Sequence, residues 1–366
     1  MNKKKIAVTI TTINIPHVIE KLIYNYEKFK ITNVVDYIVI GDLKSHPDTE
    51  NYIKSIKKNK TSRVIYFNIE DQKKEFSKYE KLWSHIPYNS FARRNFADLY
   101  AFENKYDLII RIDDDNFPIE QDFFTPHSKV GEFVSANEIM SSSGWFNVCE
   151  SLIERDKIPF YPRGYPYDKR WIEQSIVVKK CDHSLKINAG LWLGDPDVDA
   201  ITRICKKVDA VDYNSYEFGE TFVLAKNTWS PINTQNTSFS IDLVPAAFVS
   251  PFSGRYDDIF SGYFLRKIMD HLGDKVGYGL PLVTQVRNEH NLWLDLEKEM
   301  HGNLTTPELC EILKGVNLKK NSYAECMLEL VSLSRPMLTE IDDRFKKILD
   351  GMEIWAEIFI NRNSQK

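Results

Sequence analysis

Three consecutive carboxylates, Asp113-Asp114-Asp115, follow directly on the apolar run Leu108-Ile109-Ile110-Arg111-Ile112. This is the feature that most restricts what the chain can fold into. Like charges crowded at the end of a buried strand resist desolvation and repel one another. A hard divalent cation reverses that cost: such ions take oxygen ligands, and Mg²⁺ commonly sits between one or two carboxylates and substrate phosphates. Open α/β sheets bind their ligands beyond the carboxyl ends of the strands. The segment therefore points to a strand that delivers acids to a metal-bridged diphosphate. The plainer reading is a solvated acidic turn.

The surrounding pattern supports such a strand. Ile6–Ile13, Val34–Ile40 and Val64–Phe67 are β-rich runs, and Val18, Ile19, Leu22, Ile23 and Tyr26 fall at the spacing of an amphipathic helix. Phe91–Asn104 reads as a helix leading into the strand that carries the aspartates. Alternating strands and helices argue for βαβ units and a parallel sheet. From about Phe123 to Asp182 the pattern weakens and Pro, Gly, Tyr and Trp become frequent, as in functional loops of compact enzymes. Helical patterns return at Val198–Val208 and Arg255–Leu272. Beyond Asn303 the sequence Thr305-Thr306-Pro307-Glu308 predicts a capped helix start. Helical patterns then run to Ile360 with a break near Ser334-Arg335-Pro336. The expected organisation is an α/β domain over 1–302 and a helical extension over 303–366, packed on the core or on a second subunit.

Bulk properties remove several classes. A net charge of −4 over 366 residues gives no reason to expect nucleic acid or a membrane surface as partner. No run of 18 apolar residues exists to span a bilayer. Met1-Asn2-Lys3-Lys4-Lys5 is basic, but a β-branched run broken by threonines follows it, which reads as a first strand and not a signal sequence. The five cysteines are odd in number, scattered, and never spaced C-x-x-C, so a reduced, cytoplasmic setting is expected. No serine-histidine-acid pattern, P-loop or G-x-G-x-x-G is present.

Further clusters carry candidate chemistry. Arg93 and Arg94 open a helix and suit a diphosphate through the guanidinium fork, or form an ordinary solvated helix end. In Pro162-Arg163-Gly164-Tyr165-Pro166-Tyr167-Asp168-Lys169-Arg170, two arginines seven residues apart flank two tyrosines, which suits an anionic sugar nucleotide or an aromatic turn. Asp195 or Asp197 can cap the helix that follows them. Asp257 and Asp258, after Gly254-Arg255-Tyr256, are favoured in a first helical turn by the dipole alone; the sharper reading is a catalytic carboxylate or hydroxyl ligand. His290 is a candidate late metal ligand, although a lone histidine is more often structural.

Taken in order, Thr11-Thr12-Ile13-Asn14, Arg93-Arg94, Ile112-Asp113-Asp114-Asp115, Arg163-Gly164-Tyr165-Pro166, Leu191-Trp192-Leu193 and Gly254-Arg255-Tyr256-Asp257-Asp258 resemble the plant reversibly glycosylated polypeptides. These are the UDP-arabinopyranose mutases of glycosyltransferase family 75. Asp270-His271-Leu272-Gly273 and Gly279-Leu280-Pro281 extend the likeness, which covers roughly residues 6–302 and excludes the helical tail. Ile40-Gly41-Asp42-Leu43-Lys44, Pro87–Asn95 and Asp113–Asn116 are also similar to the glycosyltransferase-like domain of the plant STELLO proteins. Both resemblances imply a GT-A-type α/β fold, with a mixed, mostly parallel sheet flanked by helices. They imply a divalent Mn²⁺ or Mg²⁺ on Asp113, Asp114 and Asp115. The nucleotide sugar, UDP-linked by preference, would meet Thr11, Asp42, Arg93, Arg94, Asp113 and Asp114. The resemblance to the first family makes Arg163 the reversibly glycosylated arginine and Arg170 the second arginine needed for activity. Asp257 or Asp258 is expected to bind sugar hydroxyls or to act as base. The expected reaction is a pyranose–furanose interconversion of the sugar. Transfer to an external glycan or other acceptor is the alternative, and a non-catalytic sugar-nucleotide-binding protein is a third. A homo-oligomer through the C-terminal helices is also expected.

Overall fold

The computed structural model describes residues 3–56, 62–287 and 291–363, with side chains up to 360. Its first third is built as the periodicity requires. Strand β1 (Lys5–Thr11) leads through helix α1 (Val18–Lys28) to β2 (Val34–Ile40), then through α2 (Thr49–Ser55) to β3 (Arg63–Phe67). Helices α3 (Ile69–Phe76), α4 (Glu80–His85) and α5 (Arg94–Glu103) precede β4 (Leu108–Ile112). β1, β2 and β4 are buried on both faces, which explains their near-continuous apolar sequences. Arg111, the polar exception inside β4, is fully buried and paired with Asp98 of α5 at 2.7 Å.

The middle of the chain adds β5 (Asn116–Pro118), α6 (Phe124–Ser128), β6 (Phe133–Ser141), β7 (Leu152–Glu154) and the 19-residue β8 (Ile176–Gly194). Next come α7 (Ala200–Cys205), β9 (Ala210–Tyr213), α8 (Ser215–Phe218), β10 (Thr221–Leu224), β11 (Asn236–Ser240), α9 (Asp257–Leu272) and β12 (Lys275–Gln285). Helices α10 (Leu292–Gly315), α11 (Tyr323–Ile341) and α12 (Arg344–Asn363) complete the chain.

The strands form one mixed sheet in the order β3-β2-β1-β4-β11-β8-β6-β10-β12-β5, with β7 and β9 on its flank and β12 also paired to β8. Its first four strands are parallel. β11 then runs antiparallel to both β4 and β8. The expected α/β architecture of a mixed sheet, flanking helices and a C-terminal helical region therefore holds. The topology also fixes where the functional groups meet. The carboxyl ends of β1, β2, β4 and β8, the amino end of β11 and the carboxyl end of β12 all lie along one sheet edge.

The C-terminal region departs from expectation. α10 begins at Leu292, capped by the Asn291 side chain, so a division at 302 falls inside a continuous helix. Thr305 and Thr306 are not caps; their hydroxyls donate to the carbonyls of His301 and Gly302, 2.8 and 2.6 Å away. α11 likewise passes through Ser334-Arg335-Pro336 without ending. The bundle packs on the α/β body: Phe345, Ile348, Leu349, Met352 and Trp355 are fully buried, and the Trp355 indole donates to the Val244 carbonyl at 2.7 Å.

Candidate active site

Along that edge lies a cleft of about 400 Å³, lined by Thr11, Thr12, Asn14, Gly41, Asp42, Arg93 and the three aspartates. Its walls are the loops leaving β1, β2 and β4, the place where parallel strands present ligand groups. Thr12 donates its hydroxyl to Asp114 at 2.5 Å. Asp42 accepts the backbone N–H groups of Leu43 and Ser90 at 2.8 and 3.1 Å, so its carboxylate ties the loop after β2 to the entry of α5. The hydroxyl of Thr11 is buried without a partner.

The three acids diverge. Asp113 accepts Arg94 Nη2 at 2.9 Å, Asp114 turns to Thr12, and Asp115 accepts the amides of Asn116 and Gln285 at 2.9 and 3.1 Å. Burial pushes the Asp113 carboxyl up to about 7 against the pull of Arg94, with Asp115, Asp258 and Asp114 adding repulsion. Burial also raises Asp114 despite the Thr12 hydrogen bond. Such donors suit a divalent cation: oxygen ligands in an open set, carrying negative charge that the fold leaves under-compensated. The fit is to an ion sharing its shell with phosphate oxygens and water, not to a closed protein cage.

The two arginines that open α5 have different fates. Arg93 lines the cleft, but its Nε and Nη2 donate to Gln72 at 2.9 and 2.7 Å, and it packs against Trp83, Tyr88 and Phe96. Gln72 in turn holds the Gly41 carbonyl. Arg94 is the one that reaches the acids. It stacks on Phe91 and bonds both Asp113 and the Thr234 hydroxyl. Thr234, just before β11, donates its backbone N–H to Asp258 at 3.1 Å.

Asp258 leads to the second half of the site. Arg163 grips Asp197 with Nε and Nη2, both at 3.0 Å, reaches Asp258 at 3.2 Å, and bonds the Arg255 carbonyl through Nη1. The guanidinium is buried, and the two carboxylates hold its pKa above the usual arginine range against the effect of burial. Asp197 is held down at about 2, with Arg163 the main partner opposing its burial. Arg170 is buried beside Asp199 at 2.6 Å and stacks on Tyr167 and Tyr161. The sequence offered Asp195 or Asp197 as the cap of α7. Asp199 caps it instead, accepting Thr202 N–H at 2.8 Å, while Asp195 pairs with Arg203 and Arg287.

Gly164 is required here by close approach. It sits at φ +89°, and a Cβ would meet Ile259 of α9 at 2.4 Å. That contact seats the Arg163 loop on the helix carrying Asp257 and Asp258. Asp257 is half-buried, and burial and Asp258 push its carboxyl up to about 7. No local pattern marks Glu299 of α10, which accepts Ala200 N–H at 2.7 Å and Arg255 Nε at 2.9 Å. Gly302 admits the Tyr256 ring so closely that a Cβ would lie 2.1 Å from it. His290 lies outside the described residues.

The structure thus joins Asp113, Arg94, Thr234, Asp258, Arg163 and Asp197 in one hydrogen-bonded chain. The family model "Reversibly glycosylated polypeptide" matches residues 56–364. UDP-arabinopyranose mutase 3 of Arabidopsis thaliana is 30% identical over 263 residues, covering 68% of each chain. UDP-arabinopyranose mutase 1 of Oryza sativa subsp. japonica is 29% identical over 262 residues, again 68% of each. Among solved structures, glucosyl-3-phosphoglycerate synthase from Mycobacterium tuberculosis aligns with 84% of this chain and 80% of its own, at 14% identity and TM-score 0.42. The family match runs through α10, α11 and α12, so the helical tail lies inside the matched region and not, as expected, outside it. The chain belongs to the reversibly glycosylated polypeptide family.

Proposed function

We propose that this protein is a metal-dependent UDP-sugar mutase: it breaks the bond between the anomeric carbon and the diphosphate, then returns the sugar in its other ring form. The observation that carries this reading is the continuous chain from Asp113 to Arg163, which couples a cation-seeking acidic cleft to a fixed cationic clamp. The names of the relatives point to UDP-arabinopyranose as the substrate to try first.

Asp113, Asp114 and Asp115 would hold a Mn²⁺ or Mg²⁺ ion. When bound, the ion supplies Lewis-acid neutralisation of the departing diphosphate. Arg94 keeps Asp113 in place and adds fixed positive charge beside the phosphates, where preorganised charge is most effective. Thr11, Thr12, Asn14 and Asp42 shape the cleft for the nucleoside. Arg93 acts through Gln72 and the Gly41 carbonyl to set the wall of the cleft. Asp257, half-buried at the start of α9, takes the sugar hydroxyls and exchanges a proton with them near neutral pH. Arg170 and Asp199 fix the loop that carries Arg163.

Arg163 is the proposed acceptor of the glycosyl unit during ring exchange. As Nη2 attacks the anomeric carbon and the bond to the diphosphate oxygen breaks, the Nη2 proton passes to Asp258, 3.2 Å away, while Asp197 on Nε and Nη2 holds the guanidinium plane. Among the described residues no helix is long and apolar enough to cross a membrane. A reducing, cytoplasmic setting is part of the proposal, supported by five unpaired cysteines.

The test incubates the protein with UDP-arabinopyranose and Mn²⁺, resolves the ring forms chromatographically and records intact-protein mass. Ring interconversion with a mass increase of one glycosyl unit is the expected result. Interconversion at constant mass would remove Arg163 as acceptor. Absence of both, with UDP released only when a glycan is added, would convert the reading to glycosyl transfer.

A further inference from the structure

We infer that Glu138, Cys181 and His183 form a second metal site, for a borderline-soft divalent ion such as Zn²⁺, on the sheet surface between β6 and β8. Among the described residues this is the group in which three ligand atoms of His, Cys, Asp or Glu all lie within 4.8 Å of one another. The oxygen-only aspartates of the cleft do not meet that condition.

Strand register brings the three together. β6 and β8 run antiparallel, with Cys181 opposite Ala136, His183 opposite Val134 and Lys179 opposite Glu138. Side chains alternate across a strand, so Cys181 and His183, two residues apart, share a face. Glu138 is the diagonal neighbour of Cys181 on the same face, within reach of a long side chain.

The donor chemistry is that of zinc. Thiolate, imidazole and carboxylate bind Zn²⁺ at about 2.3, 2.0 and 2.1 Å, and three protein ligands leave a fourth position for water. Tetrahedral geometry at those lengths needs donors about 3.3–3.8 Å apart, which side-chain rotation can reach from the present spacing. His183 supplies an independent observation: it is buried, and its Nε2 has no hydrogen-bond partner. A buried imidazole nitrogen left unpaired is costly unless something binds it.

One cation already visits the cluster. Lys275, at the start of β12, places Nζ 2.7 Å from Glu138, and Lys179 faces Glu138 across the ladder. On binding, the Cys181 thiol loses its proton to solvent and the ion takes the place of the Lys275 ammonium on Glu138. Lys275 is therefore a built-in competitor, which separates a metal site from a surface ion pair.

The experiment uses the full chain, stripped with a chelator and titrated with Co²⁺ alone. A thiolate ligand gives a sulfur-to-cobalt charge-transfer band in the near ultraviolet; the aspartate cleft, lacking sulfur, cannot produce it. One equivalent with that band is expected in the wild type, and Zn²⁺ should bleach it. Cys181→Ser should remove the band, while Cys205→Ser, changing an exposed thiol elsewhere, should retain it. His183→Ala should weaken binding at least tenfold, and Lys275→Gln should tighten it severalfold. A wild type without the band overturns the proposal, as does a Cys181→Ser protein that keeps it.

Discussion

The acidic cleft and the arginine clamp lie along the same sheet edge but solve opposite electrostatic problems. In the clamp every buried charge has a partner in place: Arg163 with Asp197 and Asp258, Arg170 with Asp199. In the cleft the partners are too few. Among the described residues Arg94 is the cation paired with the aspartates, and burial raises the carboxyls of both Asp113 and Asp114 above the ordinary carboxylate value. A fully paired buried network makes a rigid frame, whereas an under-paired one waits for charge from outside. The contrast assigns the frame to the clamp and the binding of cation and diphosphate to the cleft.

The severest way to break this contrast is to remove one charge from each side. Asp114→Ala should cost on the order of 10³-fold in turnover of the nucleotide sugar while leaving the denaturation midpoint near that of the wild type. Arg163→Ala should also lose ring interconversion, since it removes the proposed acceptor, but unlike Asp114→Ala it should cost about 3–5 kcal/mol of stability in urea denaturation, because Asp197 and Asp258 are then buried without their cation. If Asp114→Ala loses stability and Arg163→Ala keeps it, the division between frame and binding site is wrong.

Proton linkage sharpens the comparison. Asp113 and Asp257 keep protons up to about pH 7, while the unfolded chain releases them near the ordinary carboxylate value. Stability without metal should therefore fall as pH rises from about 4 to 7, and added Mn²⁺ should flatten that decline. Asp197, held near 2, acts in the opposite sense: its contribution is lost as pH drops from about 4 to 2. Urea midpoints across pH would read both limbs. In the same window Mn²⁺ affinity should rise about tenfold per pH unit, since binding displaces the Asp113 proton. The smallest expected effect belongs to Glu299→Gln, a loss of roughly threefold in turnover as Arg255 and the start of α7 loosen.

Much of the cleft was legible because its signals are local. An apolar strand ending in three acids, preceded by a helix opening on two arginines, identifies itself within about 25 residues. The Arg163 segment was visible too, through its Gly and Pro. What stayed hidden were the partners. Asp197 looked like a cap because an acid before a helix usually is one, and only the loop geometry hands that duty to Asp199. Thr234 has no chemistry of its own to announce it; it matters because antiparallel β11 starts beside the end of β4. Arg93 and Arg94 are indistinguishable in sequence, and tertiary contact sends one to Gln72 and the other to Asp113.

The same limit explains α10. Thr305-Thr306-Pro307-Glu308 has the chemistry of a helix start, yet it lies mid-helix because Asp295 and Glu299, a turn or more earlier, are held on Arg255. Apolar residues at Trp293, Met300 and Leu304 face outward while Leu309 and Leu313 face in, so no single stripe marked the helix from end to end. Local propensity proposed a boundary, and long-range pairing overruled it.

Helix α10 also sets an order of events during synthesis. Arg255 and the amino end of α7 receive the Glu299 carboxylate from a helix that packs in turn on α11, which emerges still later. A ribosome that has made every strand of the sheet has therefore not yet made a finished clamp. The nascent chain carries its acidic cleft early and this brace later, so sugar-nucleotide turnover should begin only after α10 has emerged.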